Sequence, residues 1–332
     1  MTQPTDETRP DQLRPLRAKL IFNPSSGRPD ESARQLLEVV THLQGWQILP
    51  EVALVFPDTD VVALARQALR QGISLIIACG GDGTIDSIAG ALVGSTATLG
   101  IIPTGTRNNV AFSLGIPNDI PAAARLLRLG RRSRIDIGRA VCGANSRWFL
   151  EACSVGLLSA LFPAADDIQH GHLERIGDLL STLVNAPAAE IQLRLDGSRN
   201  WITAQGHMVL ISNMPYLGAH YQTASNVSYD DSRLDVLMYA NLSKLDLIGY
   251  AVQATSGIPE DARIRRFQVR RLDVRSEPPL PVMADGFMLG EGPLSVTLRR
   301  QGLAVMVGDQ PEKQAQVQTV KETAPEASVH EQ

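Results

Sequence analysis

The stretch Gly80-Gly81-Asp82-Gly83-Thr84 constrains the fold of this chain more than any other. It lies between residues 73–79, an apolar run that predicts a buried parallel strand, and residues 85–93, whose apolar side chains recur at helical spacing. Glycine permits a sharp turn and a close approach of the backbone to a ligand. Since a helix N-terminus favours phosphate, strand, turn and helix together predict a phosphate-binding loop. Taken alone, the five residues are explained equally well by an ordinary capped turn.

Two further strand ends carry loops of the same kind. Residues 16–22 predict a strand that leads into Asn23-Pro24-Ser25-Ser26-Gly27. Residues 98–102 predict a strand that leads into Pro103-Thr104-Gly105-Thr106-Arg107-Asn108-Asn109. With a strand at residues 48–56, four strands alternate with helices, which predicts an α/β domain with a Rossmann-like, doubly wound parallel sheet. Ligands bind at the carboxyl edge of such sheets, so three polar loops there predict a binding site.

The second half of the chain predicts a different architecture. Its short apolar or alternating runs predict antiparallel strands at residues 147–153, 191–195, 207–212, 234–239, 267–274 and 294–298, with a hairpin turn at Asp196-Gly197 that resumes at Trp201. We therefore predict a nucleotide-binding domain over residues 16–136, to which a last strand near 302–307 could return, and a second domain over residues 137–300. The polar segments 1–15 and 308–332 are predicted to be disordered.

Composition narrows the classes of function. The 332 residues are 44% apolar and 20% charged, and no apolar run approaches the roughly 20 residues that span a bilayer. The polar N-terminus lacks the apolar core of a signal peptide, which predicts a cytoplasmic protein. Cys79, Cys142 and Cys153 lack metal-ligand spacing and are predicted to be buried thiols in a reducing compartment. The net charge of −4 argues against a nucleic-acid partner. The sequence leaves open whether the protein forms a homodimer.

In their order along the chain, these motifs resemble those of the diacylglycerol kinase/sphingosine kinase catalytic family, and especially its bacterial lipid kinases. The resemblance continues through Leu114-Gly115-Ile116-Pro117, Ile135-Asp136-Ile137-Gly138, the run from Asp230 to Val236, and Asp285-Gly286, and so covers roughly residues 16–307. It implies a β-sandwich as the second domain, which contributes a lipid site. It also implies an ATP- and Mg²⁺-dependent kinase that phosphorylates the hydroxyl of a lipid such as diacylglycerol or a sphingoid base.

The resemblance further implies roles for single residues. The cofactor-binding candidates are Asn23, Ser25, Gly27, Gly80, Gly81, Asp82, Gly83, Thr84, Thr104, Gly105, Thr106 and Asn108. Asp82 and Asp285 are the catalytic candidates, and either one could bind Mg²⁺ or activate the lipid hydroxyl. Asp231 is similar to the ligand of a structural Mg²⁺ that backbone carbonyls near Ser228 and Arg233 help to bind. An Asx-turn explains Asp231 about equally well.

Three positions depart from the family pattern. The family usually has an acidic residue at Ser87, Asp at Asn109, and Glu at Phe287, where that Glu is the proposed proton acceptor of bacterial members. Because Phe cannot accept a proton, Asp86 or Glu291 would have to replace it, although spacing supports neither. The chain could therefore be an altered kinase or a catalytically weak nucleotide- or lipid-binding relative.

Two clusters outside these motifs each have two interpretations. Six arginines within residues 263–275 predict a solvated strand face, which we favour, or a patch for anionic lipid headgroups. Arg128, Arg131, Arg132 and Arg134 could extend such a patch. A headgroup patch would let the protein take a lipid from a membrane surface by peripheral association. The acids and histidines of residues 166–172 could bind a metal, although an exposed helical segment is the stronger interpretation.

Overall fold

A computed structural model describes residues 10, 13–27, 29–162, 175–186, 188–217, 221–222, 227–244, 246–247 and 261–308. The histidine and aspartate cluster at residues 166–172 lies outside the described residues. The same is true of residues 309–332 and of most of residues 1–15, for which disorder is predicted.

Four parallel strands form the sheet of the first domain, in the order β2-β1-β3-β4. They are β1 (Leu16–Phe22), β2 (Ile48–Leu54), β3 (Leu75–Gly80) and β4 (Thr98–Pro103). The helices of this domain are α1 (Ser32–Gly45), α2 (Val61–Arg70), α3 (Asp82–Leu92), α4 (Asn109–Ser113) and α5 (Ile120–Leu129). Every residue of β3 and β4 is buried, which explains their nearly continuous apolar sequence. The predicted doubly wound parallel sheet is confirmed.

The second domain is built from antiparallel strands around its own apolar core. Its elements are β5 (Arg131–Cys142), β6 (Asn145–Phe149), β7 (Ala152–Gly156), α6 (Ile176–Asn185), β8 (Ala189–Leu195), β9 (Ile202–Ser212), β10 (Tyr216–Leu217), β11 (Tyr221–Gln222), β12 (Leu234–Ala240), β13 (Ile264–Val269), β14 (Arg271–Glu277), β15 (Pro281–Ala284), β16 (Phe287–Glu291) and β17 (Leu294–Val307). The predicted hairpin is confirmed, because Leu193 of β8 pairs with Ile202 of β9. Asp196 and Gly197 turn the chain there with φ of 47° and 73°.

The last strand joins the two domains. The first part of β17 pairs with β14 and β5, and its second part pairs in parallel with β4 through Ala304 and Val305. The register of β17 against β5 shifts between Arg299 and Leu303. At that shift, the buried carboxylate of Asp136 accepts a hydrogen bond from the backbone N–H of Gln301 at 2.7 Å. One sheet therefore runs continuously from the first domain into the second.

Two strands that the sequence predicts as continuous are interrupted in the structure. The predicted strand 147–153 is divided into β6 and β7 at residues 150–151, where the backbone N–H groups turn toward Asp285. The predicted strand 267–274 is divided at Arg270, since the Asp196 carboxylate accepts hydrogen bonds from two successive N–H groups there. The arginine run is therefore distributed over two strands. Its members Arg265 and Arg266 are adjacent on β13 and so point to opposite faces.

The three cysteines, Cys79, Cys142 and Cys153, are free and buried, as predicted. Among the described residues, no helix combines the length and the apolar character that crossing a membrane requires.

Candidate active site

A cleft of about 430 Å³ opens at the carboxyl edge of β1, β3 and β4. Three loops form its walls, one after each of these strands, because neighbouring parallel strands all end at the same edge. The lining residues are Asn23, Ser25, Ser26, Gly27, Gly81, Asp82, Gly83, Thr84, Gly105, Thr106 and Arg107. The cleft therefore contains nine of the twelve residues predicted to bind the nucleotide.

The other three predicted residues lie next to the cleft and support it. Gly80 ends β3, and its carbonyl oxygen accepts a hydrogen bond from the N–H of Thr104 at 3.1 Å. Asn108 is buried in a left-handed conformation, with φ of 52°. Its side chain closes the third loop, because Oδ1 accepts from the N–H of Gly105 at 3.0 Å and Nδ2 donates to the Gly105 carbonyl at 2.9 Å.

Hydrogen bonds between the loops hold the cleft in shape. Asn23 Nδ2 donates to Thr84 Oγ1 at 3.0 Å, and the N–H of Gly81 donates to Ser26 Oγ at 3.1 Å. Asn23 also accepts a bond from the N–H of Ser25 through Oδ1 at 3.0 Å. These bonds link the first loop to the second, so the cleft is formed before any ligand enters.

The glycines show that the cleft suits a phosphate group. A Cβ at Gly105 would lie 2.5 Å from the Cα of Gly81, so the two loops approach each other more closely than side chains allow. A Cβ at Gly83 would instead meet no atom within 4 Å, because Gly83 faces the open cleft in the first turn of α3. The unpaired N–H groups and the dipole at the start of an eleven-residue helix attract an anion to that space.

Asp82 places a carboxylate on the wall of this cleft. Its two oxygens accept hydrogen bonds from the N–H groups of Asn109 and Val110, both at 3.2 Å, at the start of α4. Asp82, which lies in the first turn of α3, thereby caps the N-terminus of α4. This contact fixes the carboxylate next to the space in which phosphates would lie.

Asp285 approaches the same region from the second domain. It lies in the turn between β15 and β16 with φ of 42°, a conformation that few non-glycine residues adopt. Its carboxylate accepts hydrogen bonds from the N–H groups of Leu150, of Glu151 at 3.1 Å and of Ala152 at 2.9 Å. Asp285 is thus held by the backbone at the interruption between β6 and β7.

Two further carboxyl groups complete what we call the acid cluster: Asp82, Asp86, Glu151 and Asp285. Asp86 follows Asp82 by one helical turn and lies close enough to Asp285 for the charge of Asp285 to raise its pKa. Glu151 is close enough to Asp82, Asp86 and Asp285 for their charges to raise its pKa. Asp86 is 3% exposed and Glu151 is 8% exposed, so both side chains are shielded from solvent.

Burial and mutual repulsion control the protonation of the cluster. Burial raises the pKa of Asp86 well above its usual range, and the negative charge of Asp285 raises it further. Burial likewise raises the pKa of Glu151, followed by the charges of Asp82, Asp285 and Asp86. The Arg147 guanidinium opposes this effect at Asp86, to which it donates through Nε at 3.1 Å. A cluster of this charge favours the binding of protons or cations.

The departures from the family pattern lie in or near this cluster. Asn109 is 3% exposed, and its Oδ1 has no hydrogen-bond partner. The ring of Phe287 covers the Arg147 guanidinium, with its centroid 3.4 Å from Cζ. Ser87 Oγ donates to the Gly83 carbonyl at 2.9 Å and so supports the second loop. Of the two replacements considered for the missing Glu, the structure places Asp86 in the cluster, whereas Glu291 is exposed at the end of β16.

Glu151 is a member of the acid cluster that the sequence motifs do not indicate. It belongs to the apolar stretch Trp148-Phe149-Leu150-Glu151-Ala152-Cys153, whose pattern predicts a strand. A lone charged residue within a run that must be buried is itself a signal, since Glu is almost never fully buried without a partner. That signal identifies Glu151, although it does not identify its neighbours.

The candidate structural metal site has the geometry of a turn. Asp231 Oδ1 accepts from the N–H of Arg233 at 2.8 Å, as in an Asx-turn, and Ser228 Oγ donates to Asp230 Oδ1 at 2.7 Å. Burial is the main cause that raises the pKa of Asp231. Within the described ranges, no three His, Cys, Asp or Glu side chains are arranged to hold a metal ion. A site completed by backbone carbonyls at Asp231 stays a prediction.

Comparison with known proteins identifies both domains. Residues 17–140 match the family described as "Diacylglycerol kinase catalytic domain", and residues 163–307 match the "YegS C-terminal NAD kinase beta sandwich-like domain". Residues 17–140 therefore form a domain of the diacylglycerol kinase catalytic family. Asp82 and Asp86 lie in this domain, Asp285 lies in the matched β-sandwich domain, and Glu151 lies between the two matched ranges.

Individual relatives agree with the family assignment. A diacylglycerol kinase of Bacillus subtilis (strain 168) is 28% identical over 247 residues, which are 73% of this chain and 79% of the relative. A protein named "Probable lipid kinase YegS-like" from Stenotrophomonas maltophilia (strain K279a) is 25% identical over 281 residues, which are 81% of this chain and 89% of the relative. A crystal structure titled as a diacylglycerol kinase from Bacillus anthracis str. Sterne has the same fold, with a TM-score of 0.70, 21% identity, and coverage of 90% of this chain and 98% of the other.

Proposed function

We propose that this protein is an ATP- and Mg²⁺-dependent kinase that phosphorylates the hydroxyl group of a lipid, with diacylglycerol or a sphingoid base as the candidate acceptors. One observation carries the proposal. The carboxylate of Asp82 lies on the wall of a glycine-lined cleft suited to phosphate, and the buried carboxyl groups of a second domain adjoin it. Phosphoryl transfer needs a phosphate cradle and a group that handles the acceptor proton, and this junction supplies both.

The contacts of the two catalytic candidates suggest different roles. Asp285 accepts hydrogen bonds from three successive backbone N–H groups at the junction between β6 and β7. Asp82 lies on the wall of the cleft, beside the space suited to phosphate. We therefore assign the contact with the reacting atoms to Asp82, and assign to Asp285 the positioning of the strand junction that carries Glu151.

The residues present fit the two cofactors. The N–H groups of the second loop and the first turn of α3 would hold the ATP phosphates. Mg²⁺ in kinases is usually bound by one or two carboxylates together with substrate phosphates, and Asp82 offers one such carboxylate beside the phosphate space. ATP would supply the phosphoryl group, and Mg²⁺ would neutralise its charge. Because no three His, Cys, Asp or Glu side chains of the described residues are arranged to hold a metal ion, Mg²⁺ would have to be bound by Asp82 together with the ATP phosphates.

A nucleotide- or lipid-binding protein with little activity is the second candidate. The observation that favours it is the position of Phe287, which covers Arg147 where the family usually carries its proton acceptor. In such a protein the cleft would still bind ATP, whereas transfer would be negligible.

Transfer of radiolabelled γ-phosphate to lipid separates the two candidates. The purified protein is incubated with ATP, Mg²⁺ and detergent-solubilised diacylglycerol or sphingosine, beside an Asp82→Asn variant. We expect weak turnover with one of the lipids and a loss of about 10² to 10⁴ in the variant, as the removal of a general base typically causes. Turnover that survives Asp82→Asn would place the chemistry elsewhere. ATP binding without any transfer would favour the second candidate.

A further inference from the structure

Arg107 belongs to the third loop of the cleft, between two residues that are predicted to bind the nucleotide. Among the described residues that line the cleft, Arg107 alone carries a positive charge and Asp82 alone carries a negative one, while the other nine are neutral. The dipole of α3 adds only about half an elementary charge at its N-terminus. Arg107 therefore supplies the only full positive charge on the described walls of a cleft that suits phosphate.

The third loop holds the backbone of Arg107 close to Asp82. Asn108 closes this loop through its two hydrogen bonds to Gly105, on the other side of Arg107. The next residue, Asn109, donates its N–H to Asp82 Oδ2 at 3.2 Å. Since two residues of chain span at most about 7 Å, the Cα of Arg107 lies within that distance of the Cα of Asn109. The side chain of Arg107 thus starts beside the carboxylate to which we assign the reacting atoms.

The guanidinium of Arg107 extends from this loop to the second domain. Its Cζ lies 5.8 Å from the centroid of the Phe162 ring, within the range of a cation–π contact. The same ring abuts the turn of Asp285, because a Cβ at Gly286 would lie 3.1 Å from Phe162 Cζ. Arg107 therefore connects the phosphate space of the first domain with the turn through which the second domain enters the acid cluster.

We propose that Arg107 binds the terminal phosphate of ATP and makes the cleft select a nucleoside triphosphate over a diphosphate. The orientation of the nucleotide rests on the proposed kinase function, which requires the terminal phosphate to face the acid cluster and the acceptor. A guanidinium presents a planar fork of N–H donors that matches two phosphate oxygens. ADP lacks the group that this fork binds, so Arg107 strengthens the binding of ATP more than that of ADP.

Calorimetry with ATP and with ADP tests this role. The full chain is titrated with each nucleotide in the presence of Mg²⁺ and without lipid, so that binding is measured apart from turnover. The wild type should bind ATP more tightly than ADP. Arg107→Met removes the charge and keeps an unbranched side chain, and it should lower the ratio of ATP affinity to ADP affinity by at least about tenfold. Arg107→Lys keeps the charge without the planar fork and should retain part of the preference.

Arg125→Met is the matched control, because Arg125 is exposed on α5 and does not line the cleft. It removes the same charge and should leave the ratio of the two affinities as in the wild type. An unchanged ratio in Arg107→Met would overturn the proposal. So would an equal loss of affinity for both nucleotides, since a residue that only ties the third loop to Phe162 would act on ATP and ADP alike.

The transfer of radiolabelled phosphate to lipid separates this inference from the kinase function. If the wild type transfers phosphate while Arg107→Met keeps the preference for ATP, the kinase stands and the role of Arg107 is refuted. If the preference depends on Arg107 but the wild type transfers no phosphate, the binding role is supported and the kinase is contradicted. A wild type that binds neither nucleotide would overturn both.

Discussion

Replacing Asp285 by Asn should destabilise the fold, although the two side chains have nearly the same shape. The carboxylate accepts hydrogen bonds from three successive N–H groups, those of residues 150, 151 and 152. An Asn side chain offers one oxygen, and its NH₂ group would face at least one of these donors. A hydrogen bond to a charged group contributes about 1.5–3 kcal/mol, and a buried N–H without a partner costs about 1–3 kcal/mol.

An opposing effect reduces the expected loss. The substitution removes one negative charge from the acid cluster and so relieves repulsion on Asp86 and Glu151. Asp285 itself accepts all three hydrogen bonds, whereas Asp82 also contributes to the repulsion and would remain in the variant. We therefore expect the loss of the hydrogen bonds to dominate. The net loss in the free energy of unfolding should be about 2–4 kcal/mol at neutral pH.

Urea denaturation followed by circular dichroism measures this loss. Asp82→Asn is the matched control, since it also removes a charge from the cluster and changes the two bonds of 3.2 Å that cap a five-residue helix, but leaves the junction between β6 and β7 intact. Its loss should be about 1 kcal/mol, as for other helix caps. An Asp285→Asn variant as stable as the wild type would refute the argument that Asp285 holds the strand junction. If the expected loss is found, the activity of this variant must be corrected for its unfolded fraction.

Three further changes test the cleft and the cluster. Gly83→Val should lower the affinity for ATP, measured by calorimetry, by at least about tenfold, because the new side chain would fill the phosphate space. Gly45→Val is the control, since a Cβ there also meets no atom within 4 Å, and it should leave the affinity unchanged. Equal affinities of the two variants would mean that the cleft is not the ATP site. The pKa of Glu151 is raised in the fold, so its stabilising contribution is complete below pH 4.5 and is lost as pH rises through the folded-state pKa. Glu151→Gln should therefore gain stability relative to wild type in urea titrations between pH 4.5 and 8, and parallel curves would contradict this. Phe287→Glu would place a carboxylate within reach of Arg147 and should raise phosphoryl transfer if the missing acceptor limits the rate.

The sequence predicts the fold well because both domains follow local patterns. Buried parallel strands with apolar runs, and a hairpin around Asp196-Gly197, depend on residues close together in the chain. The interruptions at residues 150–151 and at Arg270 were not predictable in this way. Each is caused by an aspartate far away in the sequence, Asp285 in one case and Asp196 in the other, which takes the N–H groups that the strand would have used.

The same distinction applies to the site. The glycine loops follow strand ends, so their meeting at one edge could be predicted from strand order alone. The acid cluster could not, since Asp86 and Asp285 are almost 200 residues apart and neither motif indicates that the two side chains meet. The sequence suggested Asp86 without support from spacing, and it gave no warning that Arg147 would lie between Asp86 and Phe287.

The continuous sheet restricts how this site can work. β17 is paired with β14 and β5 in the second domain and with β4 in the first, so a rotation of one domain against the other would have to bend β17. The register shift near Gln301 is the natural place for such a bend, yet the buried Asp136 fixes the N–H of Gln301 there. The continuous sheet therefore opposes a change in the separation between Asp82 and Asp285. If the proposed kinase activity holds, we expect rate acceleration to come from preorganised charge around the reacting groups rather than from closure of the two domains.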